Sequence, residues 1–225
     1  GRRQSIYSLM IGYRRKAVHQ ITARLRIASG IRRNLPILVV GHPRNGTGHA
    51  SQLLRAWGLD VGHEEIGRDG ISAWYAMLNS TPPACNKVLW EAYQFTIVIH
   101  VLRDPAQAAF SVAFADPTSD LYRHQHLGLQ VTNDRFRDAL ASLEHWYHDI
   151  RSRFPNSFTF RIEYDSQRLF SFLGEHRLVS GQLQRTKYNR YNSRYHNYEH
   201  INRSQLLVDY AQEIAHLRTL YGYEQ

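Results

Sequence analysis

The feature that most constrains this chain is an apolar run that closes on a glycine-bearing turn and reopens as a helix. Ile37, Leu38, Val39 and Val40 are continuously apolar and lead into Gly41. A run that short, bounded by turn residues, reads as a buried strand. The turn His42-Pro43-Arg44-Asn45-Gly46-Thr47-Gly48 follows, and a helical pattern then reaches about Trp57, with Ala50, Leu53, Leu54 and Trp57 on one face. Gly58 is a natural stop. A strand, a glycine turn and a helix in that order present free backbone N–H groups, and the positive end of a helix dipole, to whatever occupies the turn. Gly46 and Gly48 let the backbone approach a ligand closely. Arg44 adds a planar cation that can grip two oxygens at once, and Thr47 adds a hydroxyl. A magnesium-nucleotide loop would carry Lys and then Ser or Thr after its last glycine. That pair is absent, so the turn reads as an anion site without the usual magnesium ligand.

The rest of the chain alternates strand-like and helix-like segments. Thr96–Leu102 is a strand, apolar enough to be buried on both faces. Arg103 stands at its carboxyl end, where open α/β sheets place ligands. A helix begins at Pro105, which is tolerated in a first turn, and Ser111 lies eight residues after Arg103. Residues 134–153 carry Phe136, Leu140, Leu143, Trp146, Tyr147 and Ile150 at helical spacing. Ser157–Ile162 alternates as a strand, and helices are expected over 166–173 and 204–221. A helix over Ile71–Leu78 capped by Asp69, a strand over Lys87–Glu91 and an irregular surface loop over Lys187–His200 complete the reading. The alternation implies an α/β fold, a central parallel β-sheet flanked by helices.

Composition narrows the function classes. The chain has 225 residues, enough for one domain with a sizeable core. Cys85 is the sole cysteine, so there is no intramolecular disulfide and no zinc-finger spacing. The apolar runs fall well short of the roughly 20 residues that span a bilayer, and no secretory signal pattern opens the sequence. The net charge of +9 is unevenly placed: residues 1–59 hold 11 basic residues and no acid, and Asp60 is the first carboxylate. Within 5–29, Ile6, Met10, Tyr13, Ala17, Ile21 and Leu25 form one stripe at spacings of three and four, decorated by Arg14, Arg15, Lys16, Arg24 and Arg26. We therefore divide the chain into a basic amphipathic helical segment, 1–34, and an α/β domain, 35–225. The favoured expectation is a helix packed on the domain with a solvated basic face; a helix at a membrane surface is the alternative. The expected setting is the cytoplasm, with peripheral membrane contact resting on that alternative. No nucleic-acid motif is present, and nucleic acid is not an expected partner.

Pro43-Arg44-Asn45-Gly46-Thr47 resembles the 5′-phosphosulfate loop of sulfotransferases that use 3′-phosphoadenosine 5′-phosphosulfate (PAPS). Arg103 through Ser111 resembles the same family's 3′-phosphate motif, an Arg and a Ser eight residues apart. Gly62-His63-Glu64-Glu65 with Asp69-Gly70-Ile71-Ser72-Ala73-Trp74 is similar to small bacterial-type members, as are Phe160-Arg161-Ile162-Glu163 and Leu220-Tyr221-Gly222-Tyr223. The resemblance covers about residue 37 to the end, weakly over 116–133. It implies a P-loop NTPase-like fold and transfer of a sulfuryl group from PAPS to a hydroxyl or amine acceptor, such as a carbohydrate or other glycan or a lipid, with no metal required. On that reading Arg44, Asn45, Gly46, Thr47, Gly48, Arg103, Ser111 and Arg194 bind the donor. Arg44 also stabilises the charge of transfer, and Glu64 is the first choice of base, with His63 and Glu65 as rivals. Asn45 stands where the family usually has Ser or Thr, and Gly48 where Thr is common. Those departures motivate the alternatives of a donor-binding relative that has lost catalysis, or a basic membrane-surface adaptor.

Other side chains have structural expectations. Trp74 and Trp90 suit the core better than an adenine stack. His124 and His126, and the pair His145 and His148, lack a third ligand, so no metal site is expected. Glu91 and His100 fall in strand-like segments with packing or hydrogen-bonding roles.

Overall fold

A computed structural model describes residues 18, 20–78, 85, 87–114, 124–181, 183 and 202–223. The elements that build the sheet are β1 (Arg33–Val40), β2 (Val61–His63), β3 (Gly70–Ser72), β4 (Tyr93–Leu102) and β5 (Phe158–Arg161). The helices are α1 (Thr47–Ala56), α2 (Pro105–Ala113), α3 (Arg135–Arg153), α4 (Ser166–Glu175), α5 (Arg203–Asp209) and α6 (Ala211–Tyr221). All strand pairs are parallel and run in the order β2-β3-β1-β4-β5. The chain is therefore α/β with a five-stranded parallel central sheet between helices.

Burial on both sheet faces explains the continuous apolar strands. Ile37 and Val39 of β1 point into one core cluster with Leu53 and Leu54 of α1 and Leu169 and Leu173 of α4. Leu38 and Val40 point the other way, against Trp146 and Ile150 of α3. Side chains alternate along a strand, so a run without polar residues is what two covered faces require. A third cluster joins Leu102, Phe110 of α2, Phe136 and Leu140 of α3, and Ile214 and Leu217 of α6.

Four expectations are corrected. Ile71–Leu78 is not one helix: Gly70–Ser72 pairs with β1, and only Trp74–Met77 turns, as a 3₁₀ helix. Ile71, Ser72, Ala73, Tyr75 and Met77 are all fully buried, so the apolar positions of this stretch belong to a strand, and then a 3₁₀ turn, enclosed by the core rather than to one face of a helix. Asp69 caps no helix. Its carboxylate accepts from the Asp60 N–H (2.7 Å) and from Arg68 (2.9 Å), closing the β2–β3 connection. Lys87–Glu91 is not a strand; Trp90–Ala92 is a 3₁₀ turn ahead of β4. The expected final helix is divided at Tyr210 into α5 and α6.

The leading segment holds the other correction. Residues 20–29 are helical, as the spacing predicts, but Val18, Ile21 and Leu25 are 62%, 59% and 65% exposed. Ala23 faces the domain instead, buried in the cluster of Leu35, Tyr93 and Trp146. The apolar stripe thus turns outward along its described part. Residues 1–17 and the loop 187–200 lie outside the described residues.

Candidate anion-binding site at the carboxyl edge of the sheet

Chain order sends β2 and β3 to one side of β1, and β4 and β5 to the other. The gap between the carboxyl ends of β1 and β4 is therefore a topological switch point, the crevice where open α/β sheets take ligands. Arg44 follows β1 and Arg103 follows β4, so both stand at this crevice.

The β1–α1 turn is tightly determined. Asn45 donates its N–H to His42 O at 3.0 Å. Arg44 has φ 77° and Gly46 has φ 100°. Gly46 is required twice over: its φ is left-handed, and a β-carbon would lie 3.0 Å from Ile162 Cδ1 beneath the turn. The N-cap residue of α1 is Gly46, which has no side chain to cap it, so the first-turn N–H groups need other acceptors. The Arg44 Nε donates to Ser111 Oγ at 3.1 Å, tying the turn to α2. Two residues read from separate sequence motifs thus meet.

The neighbouring positions divide by burial. Asn45 is 1% exposed, and its amide lies beside the Tyr221 hydroxyl, which burial pushes far above its ordinary range while Asn45 opposes that shift. The buried Asn45 Oδ1 has no hydrogen-bond partner among the described residues. Thr47 is buried, and its carbonyl accepts from Ser72 Oγ at 2.7 Å, joining α1 to β3. At Gly48 a β-carbon would already touch the His63 ring, 3.4 Å from Nε2. The small residue leaves room for that ring against the turn.

Arg103 is held by its surroundings. Its neighbour Asp104 caps α2 through Gln107 N–H (3.1 Å) and accepts from Arg218 Nε at 2.9 Å. The Asp104 N–H reaches Glu163 Oε1 (3.3 Å), and Tyr223 donates to Glu163 Oε2 at 2.6 Å. Arg161 donates to Gly222 O and pairs with Asp165 at 2.8 Å. The late segments 160–163 and 220–223 therefore brace the exit of β4. Among the described residues, the buried Arg103 Nε has no hydrogen-bond acceptor, and an oriented guanidinium N–H without an acceptor suits an anion.

His49, in the first turn of α1, is a further candidate that the sequence analysis did not name. Burial and then the Arg103 charge push its imidazole below its ordinary value. The signal available was position, one residue past the glycine turn.

The three base candidates diverge. His63 ends β2, exposed, with its ring on Gly48. Glu65 is exposed and faces Arg55 across 3.8 Å, away from the turn. Glu64 sits between them at φ 58°. Its carboxylate accepts from Trp74 Nε1 (3.0 Å), its carbonyl from Tyr75 Oη (2.9 Å), and its N–H reaches Ser72 O (2.9 Å). Six residues connect β2 to β3, where a parallel pair ordinarily needs a dozen or more. The chain manages this by folding onto itself. A β-carbon on Gly62 would fall 2.0 Å from Glu65 O, and one on Gly67 2.0 Å from Asp60 O.

Of the remaining side chains, Trp74 is committed to Glu64, and Trp90 packs beside Tyr75 and Phe95. His100 is buried against Tyr147. His126 lies 3.8 Å from Asp149, while His145 and His148 are exposed. No group of three or more His, Cys, Asp or Glu able to hold a metal occurs among the described residues. Arg194 lies outside them. Comparison with protein-family models, curated proteins and solved structures gave no match.

Proposed function

We propose that the protein is a PAPS-dependent sulfotransferase, with a P-loop-like reading of its parallel sheet. One observation carries the proposal: Arg44 and Arg103 flank the β1/β4 switch point, beside the N-terminus of α1, whose N-cap residue is the glycine Gly46. Two cationic groups on separate strand ends suit a ligand with two separated anionic groups. The α1 N-terminus behind Gly46 and the acceptor-free Arg103 Nε fit such a donor.

PAPS supplies a sulfuryl group already attached to a phosphate leaving group. Arg44 and the α1 N–H groups would hold the phosphosulfate end, and Arg103 with Ser111 the 3′-phosphate. The Arg44 guanidinium would stabilise the negative charge that shifts toward the leaving group, as a hydrogen-bond donor with no acceptor atoms of its own. Its bond to Ser111 fixes the guanidinium before the ligand arrives, and such preorganisation is what makes a charge effective. Glu64 is the proposed base for an acceptor hydroxyl. The β2 end lies two strands, roughly 10 Å, from β1 across the sheet. His63 carries a second reading as base, favoured by its ring lying against Gly48. The acceptor class follows from this only as a hydroxyl or amine compound, a glycan or lipid included.

Transfer of labelled sulfate from PAPS to a panel of sugar, lipid and amine acceptors tests the proposal. Turnover with at least one acceptor is expected. Donor binding without turnover on any acceptor would instead support a relative that binds PAPS without catalysis. Glu64→Gln and His63→Gln separate the two bases: the variant that loses turnover with donor affinity intact marks the proton acceptor.

A further inference from the structure

We propose that the leading basic helix is a docking surface for an anionic membrane face. The proposal stands apart from the sulfotransferase reading. Its first support is exposure. Val18, Ile21 and Leu25 are each more than half exposed, while Ala23 is buried at 3%. At about 100° per residue, these three side chains cluster within roughly 60° of one another, on the side opposite Ala23. The domain holds one side of the helix and leaves the apolar one outward.

Charge selects the occupant. Arg24 and Arg26 fall roughly 100° to either side of the apolar stripe. From there their stems can lie along an apolar layer while their charges reach a headgroup plane. In sequence the pattern continues upstream through Ile6, Met10 and Tyr13 with Arg14, Arg15 and Lys16, and no carboxylate precedes Asp60. A second copy of this chain would bring two all-cationic segments together, which repulsion opposes. A nucleic acid would meet the arginines and leave the apolar stripe unused. A bilayer face with anionic headgroups satisfies both features. No described helix is long and apolar enough to cross a membrane, so the helix would lie in the interface plane.

The test is flotation of the whole chain with vesicles of phosphatidylcholine alone, and of phosphatidylcholine mixed with phosphatidylserine. Binding to the mixed vesicles is expected, weakened by salt. Ile21→Ser and Leu25→Ser should each weaken it by about tenfold, and Arg24→Gln and Arg26→Gln by about fivefold each. These positions are solvent-facing or half-exposed, so unchanged melting temperatures should show that the variants remain folded. Equal binding to both vesicle types would overturn the proposal, as would undiminished binding by the Ile21→Ser/Leu25→Ser double variant. A dimer that Leu25→Ser dissolves, or a DNA duplex that binds where vesicles do not, would also overturn it.

Discussion

Two turns at the carboxyl edge of the same sheet each hold one non-glycine residue in the left-handed region, Arg44 at φ 77° and Glu64 at φ 58°. Each pays roughly 1–2 kcal/mol for that backbone. The β1–α1 turn invests the strain in openness: the helix behind it has the glycine Gly46 at its N-cap, and Arg44 is steadied by Ser111 at the switch point. The β2–β3 turn is closed on itself. The Glu64 N–H, carbonyl and carboxylate all have partners, and two of those partners, Trp74 and Tyr75, come from the following 3₁₀ turn. On the proposed function the first turn receives the anionic donor, and the second holds the Glu64 carboxylate in place through Trp74. Among the described residues three non-glycine residues hold a left-handed backbone, Arg44, Glu64 and Arg177; strain of this kind is a pointer to function only where a site surrounds it, as the proposed function has it for the first two.

The largest expected effect comes from breaking the open turn. Arg44→Ala should lower turnover by about a hundredfold or more, in a folded protein. Wild-type turnover in that variant would place the charge stabilisation elsewhere. On the closed turn, Glu64→Gln should cost about a hundredfold in turnover with donor affinity intact. A parallel loss of donor affinity would show that the turns do not divide the work. Arg103→Ala should weaken donor binding by about tenfold or more and change turnover less at saturating donor. Trp74→Phe keeps the ring and removes the N–H on Glu64. It should reduce turnover by roughly five- to tenfold and leave calorimetric donor affinity unchanged.

The smallest effect concerns stability rather than chemistry. Burial, and then the Arg151 charge, push His100 down to about 3. The folded state therefore resists protonating a group that the unfolded chain protonates near its ordinary value. Stability from this source is complete above about pH 6.5 and falls as pH drops toward 3, by up to about 1.4 kcal/mol per pH unit. Urea midpoints at pH 7.5 and 5.5 should differ less in His100→Gln than in the wild type. An identical pH difference in both would remove His100 from the account.

These regions also differ in how much of them could be read from the residues. The open turn was legible, because a strand, two glycines and an amphipathic helix leave a local pattern, and the Arg103–Ser111 spacing is local too. That Arg44 donates to Ser111 was not, because the contact depends on β1 and β4 lying side by side. Of the closed turn, Asp69 reads in sequence as the cap of a helix over Ile71–Leu78, where β3 and a 3₁₀ turn stand instead. The turn's six-residue parallel connection works only through close backbone approaches at Gly62 and Gly67, and glycine in a sequence does not say which backbone it will meet. The leading helix shows a similar split. Its period is legible, but the side that the domain takes is not: of two alanines on the described helix, Ala23 is buried and Ala28 exposed. The two late segments are separate features in the sequence, yet the Arg161–Gly222 and Glu163–Tyr223 contacts make them one brace behind Arg103.

The central claim is that Arg44 and Arg103 form one anion site across the switch point. Calorimetric titration of 3′-phosphoadenosine 5′-phosphate into the wild type, Arg44→Ala and Arg103→Ala tests it most directly. The account predicts saturable binding to the wild type, and about tenfold or greater weakening in each variant. Absence of binding to the folded wild type, or equal affinity in all three proteins, would contradict it.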